Sequence, residues 1–310
     1  MTVQVLNLVT TAEATFYQKQ CSALAERGIE QETVAVPESW SADGQRSPIS
    51  YARLVPRTLR RARDGFDLVH ANNGLTTPAA LAQVRLPVVV SLWGTDLFGR
   101  FGAVSRVTAG RADAVIVMTE GMAAALDTDA HVIPHGVDLD VFEPMPQDAA
   151  RDRLGWRSDR YYVLFPYSKE RAVKNYPRAR RVVDEAARYL DRPVELATVS
   201  GVDHHDMVRY YAASDALVLT SRHEGSTNAV KEALACDTPV VSVDVGDVAE
   251  RLAGTERSRV CRSDEELVTG LAEVLPSEGE PGGERRAVTD LGLDRMAERI
   301  ESVYRSVLAE

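Results

Sequence analysis

Short runs of β-branched and apolar residues alternate with helix-periodic segments along nearly the whole chain. VQVLNLV (3–9), ETVAV (32–36), DLVHA (67–71), PVVVSLW (87–93), DAVIVMT (113–119) and HVIP (131–134) predict buried strands. A strand covered on both faces reads as an unbroken apolar run instead of an alternation. FYQKQCSALAERG, TPAALAQVR and EGMAAALD predict helices between them. After HVIPHGVDLDVFEPMP comes a polar, proline-containing stretch, and the pattern restarts with YYVLFPY, VELATV, DALVLT, PVVSVDV and SRVCRS as strands. The expected fold is α/β, with two doubly wound parallel-sheet units joined near residue 145. A Gly-, Pro- and Glu-rich loop, PSEGEPGGE (276–284), precedes a last helix in which Leu293, Met296, Ala297, Ile300, Val303, Tyr304 and Val307 recur at helical spacing. The expected domains are therefore 1–145 and 146–290, with 291–310 a helix that is a candidate to pack back on the first domain.

Composition narrows the class. A chain of 310 residues, 45% hydrophobic and 26% charged, has the length of about two domains. No apolar stretch approaches the ~20 residues that span a bilayer, and the N-terminal residues lack a charged segment followed by a long apolar one. The expectation is a cytoplasmic protein. Cys21, Cys236 and Cys261 lie far apart with no C-x-x-C pair, so buried free thiols are expected over disulfides or zinc. A net charge of −10 argues against general nucleic-acid binding, and any basic surface must be local. YARLVPRTLRRARDGF (51–66) is the basic concentration. Arg53, Arg57, Arg60 and Arg61 fall within roughly a 100° arc, opposite Val55, Leu59, Ala62 and Phe66, with Pro56 at the helix start. This reads first as a solvated face over a buried stripe; the alternative is peripheral docking to anionic lipid, or to a lipid-linked acceptor, at the inner face of the membrane.

In open parallel sheets, ligands bind at loops that follow strands. The strand DALVLT runs into SRHEGSTN and then a helix, AVKEALAC. The turn Gly225, Ser226, Thr227, Asn228 presents backbone N–H groups at a helix N-terminus, a setting that favours phosphate. Glu224 lies in the loop and Glu232 inside the helix, where acceptor-only carboxylates suit a ligand rich in hydroxyls. The plainer alternative has Thr227 or Asn228 capping the helix and both glutamates solvated or ion-paired. Upstream, PYSKERAVKNYPRA (166–179) follows YYVLF. Arg171 and Lys174, three apart, can direct two cations at one diphosphate.

The stretches RYYAASDALVLTSRHEGSTNAVKEALACDTPVVSVDVGDVAE and VIPHGVDLDVFEP, with RAVKN and GTDL, resemble the family-four retaining glycosyltransferases of the GT-B fold. The resemblance implies two Rossmann-like domains facing a cleft. It also implies metal-independent, cofactor-free transfer of a sugar from a nucleotide-sugar donor to a glycan or lipid-linked acceptor hydroxyl, in a setting such as polysaccharide assembly. By that resemblance Glu224 contacts the donor sugar and Glu232 the ribose. Lys174 matches the family's lysine at the diphosphate; the arginine matches Arg171 in a short-loop version, while the commoner spacing lands on Ser168. The leaving diphosphate, stabilised by Arg171, Lys174 and the helix start, would deprotonate the acceptor. The first domain would supply Trp93, Gly94, Asp96, Thr10, Thr11 and His135, with HGVD (135–138) at the interdomain hinge.

Two departures stand out. LVTTAEATFY has no glycine before Gly28 where the family has a Gly-rich turn, leaving Thr10 and Thr11 to substitute. Trp93 occupies the place of a histidine before GTD, and it reads equally as core packing or as a platform for a sugar. Asp138-Leu139-Asp140 spells D-x-D yet reads as structural, and His204-His205-Asp206 reads as a polar loop before a helix in preference to a metal site. A non-catalytic nucleotide-sugar-binding subunit and a sugar-nucleotide 2-epimerase on the same fold remain alternatives.

Overall fold

The structure, a computed structural model, describes residues 2–37, 48–277 and 283–309; part of the PSEGEPGGE loop thus lies outside the described residues. The chain divides into two compact units. One runs to Gly136 and resumes at Leu293, and the other is Val137–Gly292.

The first unit is built on six parallel strands, β1 (Gln4–Val9), β2 (Glu30–Ala35), β3 (Leu68–Ala71), β4 (Val88–Leu92), β5 (Ala114–Val117) and β6 (His131–Val132), in the order β2-β1-β3-β4-β5-β6. Val5 pairs with Leu68 and Val89 with Ala114 across the sheet. Residues of both side-chain parities in β3, β4 and β5 are buried, which is why these strands are continuous apolar runs. The Leu293–Ala309 helix belongs to this unit, burying Met296, Ala297, Ile300, Val303 and Tyr304. Tyr304 Oη lies 2.7 Å from His70 Nδ1, and His70 Nε2 lies 2.8 Å from Ser91 Oγ. His70 is fully buried, and burial lowers its pKa to about 3, so it stays neutral. Gly136 is glycine for close approach, not for a turn: a Cβ there would stand 2.9 Å from Leu293 Cα.

The basic segment folds differently from the wheel drawn above. It forms two short helices, Pro48–Ala52 and Leu54–Arg61, and the second buries Leu54 and Thr58, while Leu59 is 39% exposed. Thr58 Oγ1 donates to Leu54 O, satisfying its hydroxyl inside the core. Of the expected stripe, Ala62 is buried and Val55 and Phe66 pack partly buried against the core, while Leu59 turns outward and Leu54 and Thr58 are buried beside them. Arg61 pairs with Glu32 and Asp64, so it is not a free docking cation.

The second unit repeats the architecture with β7 (Tyr161–Phe165), β8 (Val194–Thr198), β9 (Ala216–Leu219), β10 (Val240–Val243) and β11 (Arg259–Cys261), all parallel, in the order β11-β10-β9-β7-β8. Residues 137–145, grouped by sequence with the first domain, pack here instead: Val137 and Phe142 join the core, and Arg285 donates to the carbonyls of Leu139 and Phe142 at 2.9 and 2.5 Å. Asp138 Oδ1 accepts from Val141 N in the same stretch. In this sheet the strand order reverses at β7, whose neighbours are β8 and β9. Loops leaving β7 and β9 diverge at such a point and leave a crevice for a ligand.

Candidate donor site

Both loops singled out by sequence leave this switch point, and their backbones are tied together. Thr220 Oγ1 donates to Lys174 O at 3.1 Å, and Arg222 N donates to Val173 O at 2.9 Å. Lys174 sits in a one-turn 3-10 helix, Ala172–Lys174, followed by Asn175 in the left-handed region at φ 57°. Its Nζ lies 2.5 Å from Glu224 Oε1 and 3.8 Å from the centroid of the Tyr167 ring. Burial lowers the Lys174 pKa and the Glu224 carboxylate pulls it back up. Arg171 is exposed, with its guanidinium carbon 5.8 Å from the Tyr167 ring. Ser168 shapes the loop instead of facing a partner across it, since its Oγ accepts from Glu170 N and its carbonyl from Arg171 N.

Tyr167 is the floor of this arrangement. Its ring carries both cations, its hydroxyl is buried without a partner among the described residues, and burial together with Glu224 and Glu232 pushes its pKa well up. Glu232, within the Asn228–Ala235 helix, is held at both oxygens. Tyr211 Oη donates to Oε2 at 2.8 Å, and His204 Nε2 lies 2.8 Å from Oε1. His204 belongs to a short 3-10 helix, His204–Asp206, and its ring packs edge-on to Phe142. Among the described residues no cluster of three His, Cys, Asp or Glu could hold a metal ion.

The helix start is open in a physical sense. Thr227 occupies the N-cap position but makes no side-chain cap bond, and Thr227 Oγ1 and Asn228 Oδ1 are buried without partners among the described residues. The first N–H groups of a helix have no intrahelical acceptor, and here the usual side-chain cap does not take their place. A second layer supports the turn. Ser226 Oγ donates to Asp247 Oδ2 at 2.8 Å, Lys231 Nζ donates to Ser226 Oγ at 3.2 Å, and Arg251 Nε lies 3.2 Å from Asp247 Oδ2. Gly246, at φ 58°, lets the backbone pass the turn, because a Cβ would stand 2.1 Å from Gly225 O.

The first-unit candidates fall into separate groups. Trp93 and His135 meet around Phe16, with ring centroids 4.4 Å (Phe16–Trp93) and 4.7 Å (Phe16–His135) apart. Trp93 Nε1 is buried without a partner among the described residues. Gly94 adopts φ 104° and starts the Thr95–Phe98 helix. Asp96 is buried and structural: its oxygens accept from Trp93 N and Gly74 N, both at 2.8 Å, and burial raises its pKa. Thr10 and Thr11 instead line a depression of about 350 Å³ with Thr33 and Arg57. Arg57 therefore sits beside the loop after β1, a placement the helical wheel did not anticipate.

Tyr167, Tyr211, His204, Lys231 and Asp247 were absent from the sequence-derived site. Tyr167 and Tyr211 lie in quoted segments, and the available signal was an aromatic directly after a strand end and another one helix before β9. Asp247 offered an acid in the loop after β10.

Comparison with known proteins bears on this geometry. Residues 8–141 match the family model described as Glycosyltransferase Family 4, and residues 176–276 match the one described as Glycosyl transferases group 1. The chain belongs to the family 4 glycosyltransferases. The first match runs from the end of β1 past β6 to residue 141, and the second from the end of the Lys174 loop past β11 to residue 276. TuaC of Bacillus subtilis, named for a glycosyltransferase role in teichuronic acid biosynthesis, is 28% identical over 228 residues, covering 64% of this chain and 58% of its own. A D-inositol 3-phosphate glycosyltransferase of Catenulispora acidiphila is 26% identical, covering 61% of this chain and 58% of its own. This family 4 chain thus spans 58% of the length of either relative. Among solved structures, sucrose-phosphate synthase from Thermosynechococcus elongatus superposes with a TM-score of 0.79 at 17% identity, over 99% of both chains. Anabaena HepE in complex with UDP gives 0.70 at 16% identity, over 99% of this chain and 100% of its own. The fold is GT-B, two parallel-sheet α/β domains.

Proposed function

We propose that this family 4 protein is a retaining glycosyltransferase that moves a sugar from a nucleotide-sugar donor to a hydroxyl of a glycan or lipid-linked acceptor, without a metal. The observation that carries this reading is the pairing of Lys174 with Glu224 over Tyr167, beside an uncapped helix start whose Glu232 is fixed by Tyr211 and His204. A dianionic diphosphate suits the open N–H groups and the exposed Arg171, and it would compete with Glu224 for Lys174. Glu224, released in part, then has acceptor capacity for sugar hydroxyls. Glu232 keeps unused lone pairs on both oxygens for the ribose. That the HepE chain was solved in complexes with UDP and with UDP-glucose supports the same donor class.

In the step itself, the acceptor oxygen bonds to the anomeric carbon as the bond from that carbon to the diphosphate oxygen breaks, and the acceptor proton passes to the departing diphosphate on the same face. Arg171, Lys174 and the helix start stabilise the charge that gathers on the leaving group, the main catalytic contribution asked of the protein. The first unit would supply the acceptor side, through Trp93 and His135 or through Thr10, Thr11 and Arg57.

Titration of the full chain with a panel of nucleotide sugars tests the reading. One member should bind, with slow hydrolysis or transfer once lipid extract is added. Glu232→Ala should weaken that binding by about 1–3 kcal/mol, as expected when a hydrogen bond to a charged group is lost. Saturable binding without turnover would favour a non-catalytic subunit, a new sugar nucleotide an epimerase, and failure of the whole panel would remove the donor-site assignment.

A further inference from the structure

The segment LFGRFGAVSRVTAGRA, residues 97–112, holds three arginines and no acidic residue, in a chain whose net charge is −10. It forms the Gly102–Ala109 helix with its flanks, and that helix faces the opposite way from an ordinary surface helix. It buries Gly102, Ser105 and Ala109, small residues, and turns large apolar ones outward. Phe101 and Val104 are 40% and 42% exposed, Val107 and the preceding Phe98 both 59%. At spacing three, Phe101, Val104 and Val107 share an arc of about 120°. The polarity cannot be reversed by a rotation, because a Cβ at Gly102 would stand 2.0 Å from Leu97 O. Arg100 stacks on Phe101, its guanidinium carbon 5.5 Å from the ring centroid, and Arg106 and Arg111 are exposed nearby in sequence.

Four exposed large apolar side chains in ten residues form a patch of the kind that marks an interaction site, and the charge pattern says with what. A protein partner of ordinary composition would bring both signs of charge. A second copy docked about a two-fold axis would set these arginines against themselves. An anionic bilayer satisfies both halves of the pattern: aromatic and aliphatic side chains enter the headgroup layer while arginines attract the lipid charge. Among the described residues no helix is long and apolar enough to cross a membrane, so the contact is one of lying on the surface. We propose that Phe98–Arg111 is a docking surface for an anionic lipid bilayer. The inference stands apart from the donor-site reading and survives its failure.

Co-sedimentation of the full chain with vesicles tests it. The protein should pellet with phosphatidylcholine vesicles containing phosphatidylglycerol and stay in solution with phosphatidylcholine alone, and high salt should release it. Phe98→Ser combined with Phe101→Ser, and separately Arg100→Glu combined with Arg106→Glu, should each weaken binding on the order of tenfold. Arg57→Glu with Arg60→Glu should leave it within about twofold, since those residues belong to the other basic segment. The proposal is overturned if the wild-type chain ignores anionic vesicles, if neutral vesicles bind it equally, or if the Arg57 and Arg60 variant alone loses binding. It is equally overturned if Phe101→Ser converts a solution dimer to monomer without changing lipid binding.

Discussion

Burying an ammonium costs free energy unless acceptors surround it, and Lys231 is fully buried behind the donor turn. Burial lowers its pKa to about 8, with Asp247 and Glu232 holding it from falling further. Between about pH 8 and 10.5 the unfolded chain binds a proton that the folded chain has released, so stability rises with pH across that window. Denaturant titrations at both ends should show this rise in the wild type, approaching one proton's worth of slope, and Lys231→Met should lose it. Gly246 is a second residue whose role depends on another loop. Gly246→Ala places a Cβ against Gly225 O in a left-handed conformation that itself costs roughly 1–2 kcal/mol. The variant should bind donor at least about tenfold more weakly by calorimetry, since the turn must shift. Neither role was legible in the sequence. Glu224 and Glu232 announced themselves through spacing beside a turn, whereas Lys231, Asp247 and Tyr167 acquire meaning only once β7, β9 and β10 lie side by side.

At the scale of elements, strands were readable because parallel strands buried on both faces are apolar throughout, and all eleven coincide with runs quoted from the sequence, to within a few residues at the ends. A helix that buries small residues was not: Gly102–Ala109 has no apolar stripe to detect on its inner face. The Leu54–Arg61 helix was readable as a helix, but its buried Thr58 was not, because a threonine there reads as polar. The Leu293–Ala309 helix carries the opposite signature, and its contribution can be measured. Removing it uncovers the partners of Met296, Ile300, Val303 and Tyr304, each worth about 1.5–3 kcal/mol, a sum comparable to the whole stability of a domain. A chain ending at Gly292 should lose the first unit's cooperative melting transition while calorimetry still detects donor binding in the second; an intact first transition would refute the helix's role. His70, which joins that helix to β3, adds an acid dependence. Its folded pKa lies near 3 against 6.5 unfolded, so the unfolded chain takes up a proton first and stability falls as pH drops through that window. His70→Gln should flatten the loss between pH 6.5 and 4 in denaturant titrations.

For the whole molecule, the two sheets share one winding pattern, each reversing strand order beside its first strand. Parallel runs separated by helices were enough to predict that doubling. They were not enough to place the passages between units, because Gly136 and Gly292 mark them through tertiary contact: a Cβ on the first would crowd Leu293, and one on the second would meet Leu139 at 3.3 Å. If donor chemistry belongs to the second unit, as proposed, variants of Lys174 or Glu232 should change nucleotide affinity without moving the first unit's melting temperature. The discontinuity of the first unit has a consequence for how the protein is made. A ribosome delivers β1 to β6 early, but the helix that covers them emerges after every residue of the second unit. The later body is contiguous in sequence and can fold without that helix, whereas the earlier one keeps an uncovered apolar face until the last residues are free to return to it. Purified chains ending at Gly292 should therefore be cut by protease in residues 1–136 and resist it in 137–292.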